Sequence, residues 1–212
     1  MTRGRLGGLL LLLAVAYLLG EAWAAAGWEG RPYHWTVDAI SLLGVLEVVH
    51  GADGSATSTR YAVMNATFIG TGLRAALAAL VLAPFVPRRG RWAVLGLVLA
   101  HGAGLVIVGA FPTALTGVRA SMHGLGAWLG VVGGSIMLVA IAVSLARTRP
   151  VLATVTGVCA AISVTGSVIA VVGQDNFGLY ERIAVDSVVG WQIIVGAALL
   201  VAPPRQSVGQ GE

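Results

Sequence analysis

The sequence predicts an all-α polytopic membrane bundle of six transmembrane helices with a short external interfacial helix. Three observations carry that class. Of 212 residues, 57% are hydrophobic and only 10% charged, and the mean hydropathy is +0.88. A soluble domain carries about 25% charged residues to cover its water-facing surface. The apolar residues fall in six blocks, each long enough to cross a hydrocarbon core of about 30 Å. No alternating ten-residue pattern of about that length appears, and backbone cannot face lipid unpaired, so the blocks are helices rather than barrel strands.

The blocks run over 6–26, 61–85, 92–111, 121–146, 151–172 and 179–201, within one integral membrane domain taken to cover 1–212. The first, MTRGRLGGLLLLLAVAYLLGEAWAAAG, has the basic start, leucine core and small-residue end that also describe a signal peptide. Its apolar stretch is long for one, and Glu21 and Trp23 occupy the cleavage region, so a retained helix is expected. The only sizeable loop follows, 27–60. Within it WTVDAISLLGVLEVV (35–49) reads as a short helix on the membrane surface or capping the bundle, and GADGSATST (51–59) as a flexible linker. In the fourth block Gly126, Gly130 and Gly134 share one face, where small residues let backbones approach closely. Gly70, Ala78, Gly102, Gly104, Gly157 and Gly166 read the same way in their own blocks. The hydroxyls of the fifth block, Thr154, Thr156, Ser163, Thr165 and Ser167, are expected to bond their own helix.

Arginines set the orientation. Arg3, Arg5, Arg88, Arg89, Arg91, Arg147, Arg149 and Arg205 fall at the N-terminus, in two short loops or in the C-terminal tail, which share one side of a six-span bundle. The positive-inside rule assigns that side to the cytoplasm, with both termini inside. Every acid except Glu212 maps to the other side, where Trp23, Trp28, Tyr33, Trp35, Tyr61 and Tyr180 form an interfacial belt. All 13 basic residues are Arg, and with the Ala, Gly and Val usage this points to a high-GC bacterial genome and hence a bacterial plasma membrane. The single Cys159 excludes an internal disulfide and a cysteine zinc cluster. No phosphate-binding loop, zinc-helix pair or nucleophile elbow occurs. No metal and no nucleic acid is therefore expected, membrane lipid is the expected partner, and the cofactor and oligomeric state stay unassigned. The NAT at Asn65 matches a glycosylation sequon by pattern only.

Ionisable groups at membrane depth face a cavity or a partner. His101, His123, Arg74 and Asp186 qualify. The stretch FGLYERIAVDSVVGWQ (177–192) puts Glu181, Arg182 and Asp186 at the mouth of the sixth helix. There an acid is favoured by the helix dipole, and Arg182 and Asp186 can pair four residues apart. Capping and register explain all three. Against that, a His123 near these carboxylates could do general acid–base work, with His123, Glu181 and Asp186 as candidate catalytic residues. Haem shared by His101 and His123 is disfavoured by a depth mismatch of about 10 Å. Arg74 has no acid at its depth and sits about 18 Å from the arginine end, too far to snorkel comfortably. It is expected to share a buried pocket with Gln192, at matching depth, and with His101.

The order DAISLLG (38–44), MNATFIGTG (64–72), Phe111–Pro112, His123 and GLYERI (178–183) resembles the domain-of-unknown-function family 998, six-span bacterial and archaeal membrane proteins. The resemblance covers nearly the whole chain and implies its fold and topology, without a biochemistry. One departure is TALTG after Phe111–Pro112, where many relatives are expected to carry an acid; this removes a carboxylate from any metal or cation role. The resemblance adds weight to Ser41, Asn65, His123, Glu181 and Arg182 as one external cluster, with Ser41, Asn65, Arg182, Arg74, His101 and Gln192 as candidate ligand-binding residues. The expected function is binding or processing of a lipid or other apolar small molecule at an outer-leaflet pocket, with the question of an enzyme left open. An accessory subunit of a membrane complex is the alternative, and a haem electron carrier a third.

Overall fold

A computed structural model describes residues 1–114, 116–173 and 175–201. Six helices are long and apolar enough to cross a membrane: Arg3–Ala25, Tyr61–Phe85, Arg91–Ala110, Gly117–Leu145, Pro150–Val172 and Phe177–Val201. The chain is a multi-pass membrane protein, and the sequence-predicted blocks match these spans to within a few residues. Arg205 and Glu212 lie outside the described residues.

Two spans are interrupted. The first consists of α1 (Arg3–Leu12) and α2 (Val15–Ala25). At the join Ala14 N–H turns back to Leu11 O rather than to Leu10 O, which frees the Leu10 carbonyl within the span. The second and third spans are α3 (Tyr61–Leu82, extended by a 3-10 turn to Phe85) and α4 (Arg91–Ala110). The fourth is α5 (Gly117–Ala127), a π-helical turn at Trp128–Val132, and α6 (Gly133–Leu145). The fifth and sixth are α7 (Pro150–Val172) and α8 (Phe177–Val201). In the bundle α3 lies on α4, α4 on the fourth span, α6 on α7 and α7 on α8, while α1 packs against both α3 and α8.

Glycines decide which faces meet. A Cβ at Gly72 would collide with the Gly102 carbonyl, and one at Gly126 would lie 2.9 Å from the Gly104 carbonyl. The Gly126–Gly130–Gly134 face therefore packs on α4, with Gly134 against the His101 ring. Gly70 and Gly157, read from sequence as packing positions, face open space instead. The α7 hydroxyls also depart from expectation. Thr156 bonds its own helix at Leu152 O, but Ser163 donates across to Ala184 O in α8, and Ser163 and Ser167 both meet Ser135 of α6.

The external segment departs furthest from its reading. Of the expected helix over 35–49, only a 3-10 turn at Ile40–Gly44 forms. The expected linker at 51–59 is a hairpin: β2 (Val49–Gly51) and β3 (Gly54–Ser58) pair antiparallel, and β3 also pairs with β1 (Trp28–Glu29). Ile40 and Leu43 of the turn are fully buried in a core with Ala14, Tyr17, Met64 and Phe68. A second core, around Met137, Leu138, Trp191 and Val195, fills the opposite half of the bundle.

Candidate functional site

The residues singled out at the loop end converge on the backbone of the 38–44 turn. Glu181, almost fully buried, accepts from Ile40 N–H at 2.7 Å. Arg182 donates to Asp38 O at 3.1 Å and to Trp35 O at 2.7 Å. Asn65 donates to Gly44 O at 2.9 Å. Thr113 Oγ1 donates to Ser41 O at 3.2 Å and lies 3.2 Å from His123 Nε2, while His123 Nδ1 donates to Phe111 O at 2.9 Å. Ser41 thus takes part through its carbonyl. A 3-10 turn leaves several carbonyls and N–H groups without helical partners, and burying them requires other ones. Side chains from two spans, α3 and α8, and from the loop after α4 supply them.

Arg182 is the hub. The pairing with Asp186 expected from the four-residue spacing does not form; Arg182 Nε instead donates to Glu21 Oε1 of α2 at 2.9 Å. Its other nitrogens reach Tyr33 Oη at 2.6 Å and the Gly178 carbonyl, and its plane lies 4.8 Å from the Trp35 ring centroid. The reason is geometric: a planar guanidinium over an aromatic ring makes several directed bonds, which an exposed i,i+4 pair cannot offer. Asp186 is left with a buried Oδ1 that has no partner among the described residues.

The loop carries its own ion pair. Arg31 donates to both Asp38 oxygens at 2.7 and 2.5 Å, and His34 N–H donates to Oδ2 at 2.8 Å. Burial pushes the Asp38 carboxyl up, but these donors outweigh it and hold the group below its ordinary value. The same bond to Asp38 raises the Arg31 guanidinium. Burial drives the neighbouring Tyr33 phenol well above its usual range.

At mid-depth the structure joins Arg74 to Gln192. Arg74 Nη2 donates to Gln192 Oε1 at 2.6 Å, and Nη1 donates to the freed Leu10 carbonyl at 2.7 Å. A half-buried cation without a carboxylate is thus satisfied by a helix break and an amide. His101 does not bond Arg74; its Nδ1 donates to Gly130 O in the π-turn at 2.7 Å. A cavity of about 20 Å³ lies between Tyr17, Thr71, His101 and Gln192. That space does not admit a haem macrocycle, and the His123 ring nitrogens face Phe111 O and Thr113, so the geometry gives the haem reading no support.

A larger cavity, about 120 Å³, lies in the half of the bundle away from the loop. Its walls are apolar, with Ala79, Leu82, Met137, Ile141 and Trp191 among them; Gln192 lies at its inner end and Arg91 and Arg149 at the helix ends. The expected pocket among the loop-end residues is therefore not where the large apolar cavity lies.

The order of motifs held in this geometry is that of a family. A family model described as "Protein of unknown function (DUF998)" matches residues 5–198. The chain belongs to the DUF998 family. No curated protein and no solved structure matches it. In this DUF998 protein the resembling motifs meet at one cap: DAISLLG is the turn, the asparagine of α3 and the Glu181–Arg182 pair bond it directly, and the histidine of α5 lies behind Thr113, which bonds Ser41 O. Glu21 and Tyr33 were not legible as members. Glu21 entered the sequence reading as a residue of the would-be cleavage region and as one of the external acids, and its partner lies 161 positions away.

Proposed function

We propose that this DUF998 protein binds a lipid or other apolar small molecule, in the cavity at the arginine end of the bundle. The observation that carries the reading is the cavity itself: apolar walls from several spans and a mouth edged by Arg91 and Arg149. Ligand sites are concave, mostly apolar and furnished with a few polar groups that orient the ligand. Among the described residues no carboxylate pairs with either arginine, which favours an amphiphile with an anionic head and its chain directed toward Gln192. The arginine distribution supports a cytoplasmic orientation for this end, so the ligand would enter from the inner leaflet of the plasma membrane.

The test is lipid mass spectrometry on protein extracted from its native membrane. Wild type is expected to retain a defined anionic amphiphile through detergent washing. Ala79→Phe, which fills the cavity from a half-buried position, is expected to lose at least about nine-tenths of it, the loss of roughly 1.4 kcal/mol of binding, while eluting as a folded protein. Wild type without retained lipid, or equal retention by Ala79→Phe, overturns the reading. A structural or accessory role is the second reading, favoured by the engagement of Glu181, Arg182, Asn65 and His123 inside the chain. Lipid-free protein that co-purifies with another membrane protein would support it.

A further inference from the structure

We infer that Arg149 is the residue that holds the anionic head at the mouth of the large cavity, and that the ligand enters with a single hydrocarbon chain. The inference rests on the reading of that cavity as a ligand site, and names the contact that decides which amphiphile it takes.

The two arginines at the mouth have different tasks. Arg91 begins α4 and turns back on the loop before it: Nε donates to Val86 O at 3.2 Å, and Nη2 donates to Val86 O at 3.1 Å and Pro84 O at 3.3 Å. Those bonds close the turn after α3, where the last carbonyls of a helix need donors from outside it. Arg149 is built into the join of α6 and α7. Its N–H donates to Leu145 O at 2.8 Å and its carbonyl accepts from Ala153 N–H at 2.9 Å, which fixes its backbone. Leu145, Arg149 and Leu152 line the cavity together. A half-buried arginine in such an apolar wall lays its stem along the wall and keeps the guanidinium at the polar end. That planar group meets a carboxylate or a phosphate with two parallel bonds. Arg147, in the same loop, is exposed and does not line the cavity.

Size limits the other end of the ligand. An apolar cavity of roughly 150 Å³ takes one benzene ring, so about 120 Å³ admits a stretch of one chain and no second chain beside it. The room comes from α3, which presents Ala75, Ala78 and Ala79 on one face, where the other walls carry Met137, Ile141 and Trp191.

Native mass spectrometry of the delipidated, folded protein tests the contact with probes that share one acyl chain: palmitoyl lysophosphatidylglycerol, ionised palmitate and the uncharged monopalmitoyl glycerol. Wild type is expected to bind one molecule of an anionic probe at least about tenfold tighter than the uncharged one, and the anion that prevails identifies the head as phosphate or carboxylate. Arg149→Gln is expected to bring the probes to within about twofold of one another while the uncharged one still binds. Arg147→Gln removes an equal charge two residues away and is expected to keep the preference. Arg149→Met, which retains an apolar stem, gives the same readout where the glutamine variant does not fold. A preference that survives in folded Arg149→Gln or Arg149→Met, or that is lost equally in Arg147→Gln, overturns the assignment. So does dipalmitoyl phosphatidylglycerol bound as tightly as its single-chain counterpart. Wild type that binds charged and uncharged probes alike overturns the assignment and leaves the cavity a ligand site; wild type that binds none overturns the cavity reading and the assignment with it.

Discussion

Arg182 concentrates more of this protein's polar contacts than any neighbouring charge, and its value comes from burial. With side-chain exposures of 11% and 6%, Arg182 and Glu21 form a pair that water screens little. Truncating Arg182 leaves the Glu21 carboxylate without its cation and strips donors from the Trp35 and Asp38 carbonyls and the Tyr33 oxygen. Arg182→Ala is expected to cost about 3–5 kcal/mol, read as loss of the folded fraction in a thermal-shift assay. Arg182→Lys is expected to recover little, because an ammonium cannot reproduce the planar fork. Equal stability of Arg182→Lys and wild type would show that charge alone suffices. The spacing that suggested an Arg182–Asp186 pair was real, but i,i+4 pairs contribute only tenths of a kcal/mol, and the partner from α2 offers burial as well.

The elements are held where backbones approach. Gly70 and Gly72 lie two residues apart on α3 and read alike in sequence, yet only Gly72 faces α4. Gly72→Ala drives a methyl into the Gly102 carbonyl, and the resulting shift of α3 from α4 is expected to cost about 1–3 kcal/mol. Gly70→Ala meets nothing within 4 Å and is expected to be neutral or stabilising by up to about 1 kcal/mol from helix propensity. Thermal unfolding of the two variants in one detergent checks the contrast, and similar losses in both would contradict the packing described. The broken first span and the π-turn follow the same logic. Irregular backbone at membrane depth persists where side chains such as Arg74 and His101 take up the freed carbonyls.

On the scale of the whole molecule, the chain is a bundle with a polar-anchored cap at one end and an apolar cavity toward the other. The cap should come loose in acid. The folded-state Asp38 carboxyl titrates below its ordinary value of 3.8, so its ion pair with Arg31 contributes stability above that pH and loses it as pH falls further toward the folded value. Lowering pH progressively below 3.8 is therefore expected to shift the fluorescence of Trp28 and Trp35, which flank the pair and the Arg182 hub. In Asp38→Asn the acid transition should disappear from this signal. A transition retained in that variant would assign it to other carboxylates.

The sequence by itself determined the class, the six spans and their arginine-marked ends, because hydrocarbon thickness and the cost of unpaired backbone act on each segment separately. It also made the Arg74–Gln192 meeting legible, since one buried cation at known depth has few polar groups within reach. The tertiary structure decided the rest. Whether 51–59 is linker or hairpin depends in part on β1, whose Trp28 and Glu29 pair with Ser58 and Thr57 far along the chain. The turn at Ile40–Gly44 has no local reason to stop at five residues; it is fixed by Glu181, Asn65 and Arg182 from distant helices. The cavity walls come from side chains on several spans, each of which reads in sequence as ordinary lipid-facing apolar surface. Lipid tails and a protein interior are equally apolar, so hydrophobicity marks a span without telling which of its faces turns inward.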